Sequence, residues 1–140
     1  MIETAAFSFK SYRFDKVIMD FSAFQGNEFK LNILPSGILN LADKTFALEF
    51  LFFASMISGK SEEEQNVLEI HCVSMFEFKN VSSIEDIPDY FYTNSLAIVF
   101  PYVRAFVSNV TLQANIKPIV LPTMNLTGLK DLLKRNVRVK

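Results

Sequence analysis

The chain has 140 residues, half of them hydrophobic, with 15 Phe, no Trp and a formal net charge of −1. That length suits a single domain, 1–140, whose core buries roughly two thirds of the unfolded surface. The charge balance lacks the basic excess of a nucleic-acid binder, and no apolar run approaches the roughly 20 residues of a bilayer span, so neither nucleic acid nor membrane insertion is expected.

The first residues, MIETAAFSFKSYRFD, lack the basic and apolar regions of a secretory leader, and a cytoplasmic protein is expected. From about 5 to 24, aromatic and β-branched residues predict a strand. Phe7 and Phe9 share one parity and Tyr12 and Phe14 the other, which suggests a bulge. A turn at Gln25, Gly26 and Asn27 leads to a second strand, in which Phe29, Leu31 and Ile33 alternate with Lys30 and Asn32. Pro35, Ser36 and Gly37 mark an irregularity before the strand resumes at 38–41. After a turn at Ala42, Asp43 and Lys44, the third strand runs over 45–57 with Phe46, Leu48, Phe50, Phe52, Ala54 and Met56 on one face. Its other face begins polar with Thr45 and Glu49, then becomes apolar at Leu51, Phe53 and Ile57. A sheet covered by helices on one side should keep its opposite side polar, so this second apolar face asks for a partner surface.

A hairpin tip at 58–61 and a solvated acidic triplet, Glu62, Glu63 and Glu64, precede the fourth strand, 66–78. There Leu68, Ile70, Cys72, Phe76 and Phe78 oppose Glu69, His71 and Glu77. The segment SSIEDIPDYF is a connector whose acids cap or face solvent. A long helix is predicted over 92–110, capped by Thr93, Asn94 or Ser95, with Leu96, Val99, Phe100, Val103, Phe106, Val107 and Val110 at helical spacing. Pro101 interrupts it, at a cost of about 3 kcal/mol and with an expected kink, which packing must offset. An extended crossover over 116–124 then leads to a terminal helix from 127 to about 136, with Leu129, Leu132 and Leu133 on one side. The predicted class is α+β: a four-stranded antiparallel meander packed against a long kinked helix, with a crossover loop and a short C-terminal helix.

Catalytic chemistry finds no constellation. His71 and Cys72 are adjacent strand positions and point to opposite faces, so they cannot form a nucleophile and base pair. One His and one Cys cannot supply an ordinary zinc site, the lone Cys excludes an internal disulfide, and four scattered glycines make no phosphate loop. No enzyme activity, cofactor or metal is expected. Lys130, Lys134, Arg135, Arg138 and Lys140 read as cations at a helix C-terminus. Charged residues at 21% leave the surface sparsely charged for a lone monomer, which points to other copies or partners.

Val99, Phe100, Pro101, Tyr102, Val103 and Arg104 resemble the FPYAR signature in the long helix of the SecB export chaperones and SecB-like proteins. KLNIL at 30–34 and LEIHCVSMFEF at 68–78 are similar to that family's second and fourth strands. The resemblance implies a dimer of dimers that holds unfolded polypeptides in apolar grooves without ATP. Carried over by position, Leu31 and Ile33 line the groove from the sheet, and Ile119, Val120, Leu121, Pro122 and Met124 from the crossover. Glu69 matches an acidic position used to dock the motor SecA. Val17 stands near where another acid is expected, and the chain's last residues are basic, which together argue against SecA docking. Variants of the fold that hold an antitoxin need no such motor. Leu51 and Phe53, from the second apolar face, together with Val99, Val103, Phe106 and Val107, from the helix, are expected to form the oligomer interface. A non-enzymatic adaptor that binds one fixed partner through the sheet and helix surface is the alternative.

Overall fold

In the computed structural model, residues 6–22, 28–57 and 64–140 are described. Strand β3 (Thr45–Ile57) carries the clearest two-residue alternation, and it lies at the centre of the sheet. It pairs antiparallel with β2 (Lys30–Asn40) and with β4 (Glu64–Phe78), and β4 pairs antiparallel with β1 (Phe7–Met19). A fifth strand, β5 (Val137–Val139), lies parallel to β2 and completes the order β1-β4-β3-β2-β5. The expected four-stranded meander is therefore one strand short, because three residues reading VRV are too few to show a period. The predicted turn at 25–27, the hairpin tip at 58–61 and the acids Glu62 and Glu63 lie outside the described residues, whereas Glu64 opens β4.

The parity change in β1 resolves into two register shifts, between Phe9 and Ser11 and between Phe14 and Lys16. Each inserts one residue, so Phe7, Phe9, Tyr12, Phe14 and Val17 all fall opposite the inward-facing residues of β4. In β2 the expected irregularity is absent. Pro35 can stay in a continuous strand because it pairs with Phe50 of β3 without needing a donor toward that neighbour. Gly37 stays because the Phe46 ring lies over it, where a side-chain Cβ would overlap the ring.

Helix α1 (Asp89–Gln113) covers one face of the sheet, and Phe46, Leu48, Phe50, Phe52 and Ala54 are buried beneath the helical layer. It begins three residues before the predicted start at 92. Pro88 precedes it, while Thr93, Asn94 and Ser95 lie inside it, and the Ser95 hydroxyl donates to the Tyr92 carbonyl at 3.2 Å. The extra turn brings in Phe91, whose ring centroid lies 4.8 Å from Phe7, 4.9 Å from Phe46 and 4.8 Å from Phe78. Much of the chain's phenylalanine is spent on this one cluster.

Pro101 sits on the exposed side of α1, and Ala97, whose carbonyl loses its helical donor, is exposed too. That carbonyl lies on the side where water can reach it, which lowers the cost of the missing bond. By length and composition α1 could cross a membrane. Its Leu96, Val99, Val103 and Val107 are instead fully buried in the core of the fold. Helix α2 (Leu126–Arg135) packs beside α1 and over β2, with Leu133 buried.

Candidate functional site

Between α1 and α2 the chain runs without regular structure, and polar groups of α1 fasten it down. Asn115 takes a left-handed conformation (φ 61°), which turns the chain back along the helix. The Ile119 amide then donates to the Thr111 hydroxyl at 2.9 Å, while the Ser108 hydroxyl donates to the Ile119 carbonyl at 2.8 Å. Both main-chain groups of Ile119 are thus satisfied by side chains one turn apart. Thr111 in turn donates to the Val107 carbonyl at 2.9 Å, so its hydroxyl acts as donor and acceptor in a buried position.

Anchored there, the segment alternates. Ile119 and Leu121 point inward and are buried, Val120 is 62% exposed, Pro122 is exposed and Met124 is half-buried. Asn125 then ends it by capping α2, accepting from the amides of Thr127 at 3.1 Å and Gly128 at 3.3 Å. Asp89 at the start of α1 accepts from Lys130 and, at 3.1 Å, from Lys134 of α2, whose ammonium also stands 5.8 Å from the Tyr92 ring centroid. The two lysines hold the Asp89 carboxyl below its ordinary value, Lys130 foremost, and Lys130 is correspondingly raised, chiefly by Asp89. Of the terminal cations expected as helix-end charges, Lys130 and Lys134 also clamp α2 to α1.

The residues assigned to the client groove are consequently divided. Ile33, Ile119 and Leu121 are core side chains with almost no free surface, so they can shape a groove but have little area to offer an occupant. Leu31, Val120, Pro122 and Met124 retain accessible surface, and Leu31 and Met124 pack against the same apolar core as Leu126 and Leu129. These contacts are apolar and non-directional, which suits chains of many sequences.

The assigned interface divides in the same way. Val99, Val103 and Val107 are wholly buried within their own fold, so the face they occupy is not open to another copy; this corrects the assignment. Helical spacing revealed an apolar face but not which surface it would meet. Phe106 is half-buried and stacks on Phe14 with ring centroids 3.9 Å apart, and the neighbouring Tyr102 stacks on Tyr12 at 4.2 Å. Leu51 and Phe53 are half-buried on the sheet face opposite the helices. The exposed residues of α1 include Tyr90, Ala97, Pro101, Tyr102, Ala105 and Leu112, the last 56% exposed.

Glu69 lies on the open face, opposite Phe53 of β3, with its Oε1 3.7 Å from His71 Nε2. His71 is paired with Leu51, while Cys72 is paired with Phe50 and points to the opposite face, into the core. Burial pushes the Cys72 thiol up, which makes it a poor nucleophile. Among the described residues, no three His, Cys, Asp or Glu side chains are grouped to hold a metal. In the connector, Asp86 accepts from the amides of Ser82 at 2.8 Å and Ser83 at 3.2 Å, a capping role. Phe91 and the Ser108 and Thr111 anchors escaped the sequence reading. A hydroxyl two or three turns before a proline-bearing loop is the one signal that pointed to the latter.

A fold comparison finds the SecB-like chaperone Rv1957 of Mycobacterium tuberculosis, solved in complex with a ChAD peptide from the Rv1956 HigA1 antitoxin. Its TM-score is 0.66 at 14% identity, covering 86% of this chain and 91% of that one. Uncharacterized protein MJ0357 of Methanocaldococcus jannaschii is 45% identical over 47 residues, 34% of this chain and 30% of that protein, so the match spans less than a third of the relative. The model for the family described as preprotein translocase subunit SecB matches residues 28–132, from the start of β2 into α2, and on that match the chain belongs to the SecB family.

Proposed function

We propose that the protein is an ATP-independent holdase that binds unfolded or aggregation-prone polypeptides along the crossover segment and the neighbouring edge of the sheet. The observation that carries this reading is the crossover itself. It is fastened to α1 by its main chain at Ile119, yet it leaves Val120, Pro122 and part of Met124 uncovered, and Met124 packs against the same core as half-buried Leu31. Membership of the SecB family and a fold neighbour bound to an antitoxin peptide support a polypeptide as the occupant. No ATP site is needed, because apolar contact alone can hold a segment that has not yet reached its own core. The protein works in the cytoplasm as a dimer or a dimer of dimers, through the exposed side of α1 and the open face around Leu51 and Phe53. An antitoxin or similar cytoplasmic client suits it better than SecA-coupled export, since Glu69 stands next to His71 and has Ile18 of β1 as its other partner rather than a second acid.

Light scattering of a chemically unfolded, reduced client diluted into near-stoichiometric protein tests the reading. Suppressed aggregation is the expected result, and no suppression with any of several clients overturns it. Val120→Asp is expected to weaken client binding about tenfold while the fold persists, because the side chain is mostly in solvent. Leu121→Asp is unsuitable for that purpose, since it would place a charge in the core. The open sheet face favours a second reading, an adaptor for one folded partner, and selective capture of one folded protein without affinity for unfolded chains would support it.

A further inference from the structure

The seam between β1 and α1 is lined with rings. Between ring centroids, Phe9 lies 6.0 Å from Tyr102, Tyr12 lies 4.2 Å from Tyr102, and Phe14 lies 3.9 Å from Phe106. The first bulge of β1, between Phe9 and Ser11, is what brings Tyr12 to this side, because without the extra residue its parity would turn it to the open face. Strand β1 lies at one end of the sheet, and among the described residues it pairs with β4 alone. Holding this edge strand against the helix falls to the rings, whose stacked contacts are each modest.

The pair of Tyr12 and Tyr102 differs from its neighbours in chemistry. Its ring planes meet at 23°, a stacked arrangement, and the two residues are 42% and 38% exposed. Both members carry a phenol, whereas the stack of Phe14 on Phe106 has none. Tyr90 is exposed too, but the ring beside it is Phe7 at 6.4 Å, and Tyr92 is buried. The chain has no Trp. Cys72 is its single thiol, lies in the core and has its thiol pushed up by burial, so neither of the side chains that most readily give up an electron competes with tyrosine at the surface. Methionine takes oxygen from peroxide by a separate route, to the sulfoxide.

We infer that Tyr12 and Tyr102 form an oxidative cross-linking site, at which a one-electron oxidant, such as a haem peroxidase supplied with hydrogen peroxide, joins β1 to α1 through a dityrosine bond. Each phenol gives one electron to the oxidant and its hydroxyl proton to water. The two phenoxyl radicals then form a carbon–carbon bond between ring carbons next to the oxygens. The hydrogens on those carbons pass through water to the oxygens, which restores both phenols. One hydrogen peroxide takes up the two electrons and two protons and leaves as two waters, so the chain loses two hydrogens. Stacked rings already overlap face to face, and coupling needs a turn within the stack rather than movement of the main chain. The bond closes the chain between Tyr12 and Tyr102 and fixes the edge strand to the helix covalently.

The test treats the full chain with a haem peroxidase and hydrogen peroxide. Dityrosine fluorescence is expected, free of any tryptophan background, in a product of monomer mass less two hydrogens that yields a linked peptide pair containing Tyr12 and Tyr102. Tyr12→Phe and Tyr102→Phe are each expected to abolish that product, and Tyr90→Phe to leave it. Phenylalanine preserves the stack, so an unfolded variant does not account for the loss. The cross-linked fraction is expected to melt about 5–10 °C higher than the unlinked fraction of the same reaction, as closure of a long loop would give. Tyr102 also lies on the flank of α1 proposed for assembly, and the product's mass separates a bond within one chain from a bond between copies. Dityrosine found only at twice the monomer mass overturns the proposal, as does a monomer cross-link that survives Tyr12→Phe, or oxidation confined to methionine. A cross-link at these two residues with no rise in melting temperature overturns the fastening of β1.

Discussion

The two faces of the same sheet are built from neighbouring residues and serve opposite ends. Along β3, Phe46, Leu48, Phe50 and Phe52 lie under the helices with at most 1% of their surface exposed, whereas Ala47, Glu49, Leu51 and Phe53 between them remain half-buried on the open face. Both faces are rich in apolar residues, so composition does not distinguish them. The helices do. Full burial of Phe, at roughly 25 cal/mol per Å² of apolar surface, supports the fold from one side, while the other side leaves apolar area accessible. The open face also carries charges, with Lys10 3.9 Å from Glu77 and Glu69 beside His71, as a surface in contact with water would.

The comparison is broken most severely at Phe91 and Phe53. Phe91→Ala empties the centre of the aromatic cluster and is expected to cost about 3–5 kcal/mol, read by urea denaturation, whereas Phe53→Ala is expected to cost about 1 kcal/mol or less and to change oligomeric state instead. Equal costs at the two sites would show that the open face is as fully used by the monomer as the covered one. Gly37→Ala comes next. The added methyl would meet the Phe46 ring, and a loss of about 1–3 kcal/mol is expected, partly recovered when Phe46→Leu is combined with it. Additive losses would mean that the ring is not the obstacle.

Thr111→Val sharpens the contrast between the fixed core and the crossover resting on it. It leaves the Ile119 amide without its acceptor, at a cost of about 1–3 kcal/mol, and hydrogen exchange at Ile119 is expected to accelerate more than exchange within α1. The smallest effect concerns the clamp between the helices. Because Lys130 and Lys134 depress the Asp89 carboxyl, its contribution is present above the ordinary value of 3.8 and is lost as pH falls through the lower folded value. Lys130, raised by the same contact, keeps its contribution below 10.5 and loses it as pH rises through the higher folded value. Asp89→Asn is therefore expected to flatten the dependence of the melting temperature on pH at both extremes, and an unchanged profile would show the exposed clamp to be inert.

Most of the fold was legible as pattern. The inward face of β3, the order of strands and helices, and the bulged parity of β1 all follow from where Phe, Leu and Val recur. Two errors have a common cause. Periodicity points the apolar stripe of Val99, Val103 and Val107 toward assembly and marks Pro35 with Gly37 as a break in β2, because it reports which residues are apolar or unusual but not which surface each one meets. The groove residues were drawn from resemblance, and the structure sorts them into buried supports and accessible contacts, a distinction that no spacing carries. Ser108 and Thr111 were missed because their partner, the main chain of Ile119, is set by how the crossover folds back.

By itself, then, the sequence determined the local facts: a two-residue period makes strands, a three-and-four period makes α1, and a single His and Cys on adjacent strand positions cannot meet. The tertiary structure decided which of two apolar faces is covered, that three residues ending in Val139 become a strand, and that this strand pairs with β2 at Gly37, Ile38 and Leu39. Those outcomes depend on contacts between residues far apart in the chain, where packing rather than propensity selects among arrangements that the same local pattern allows.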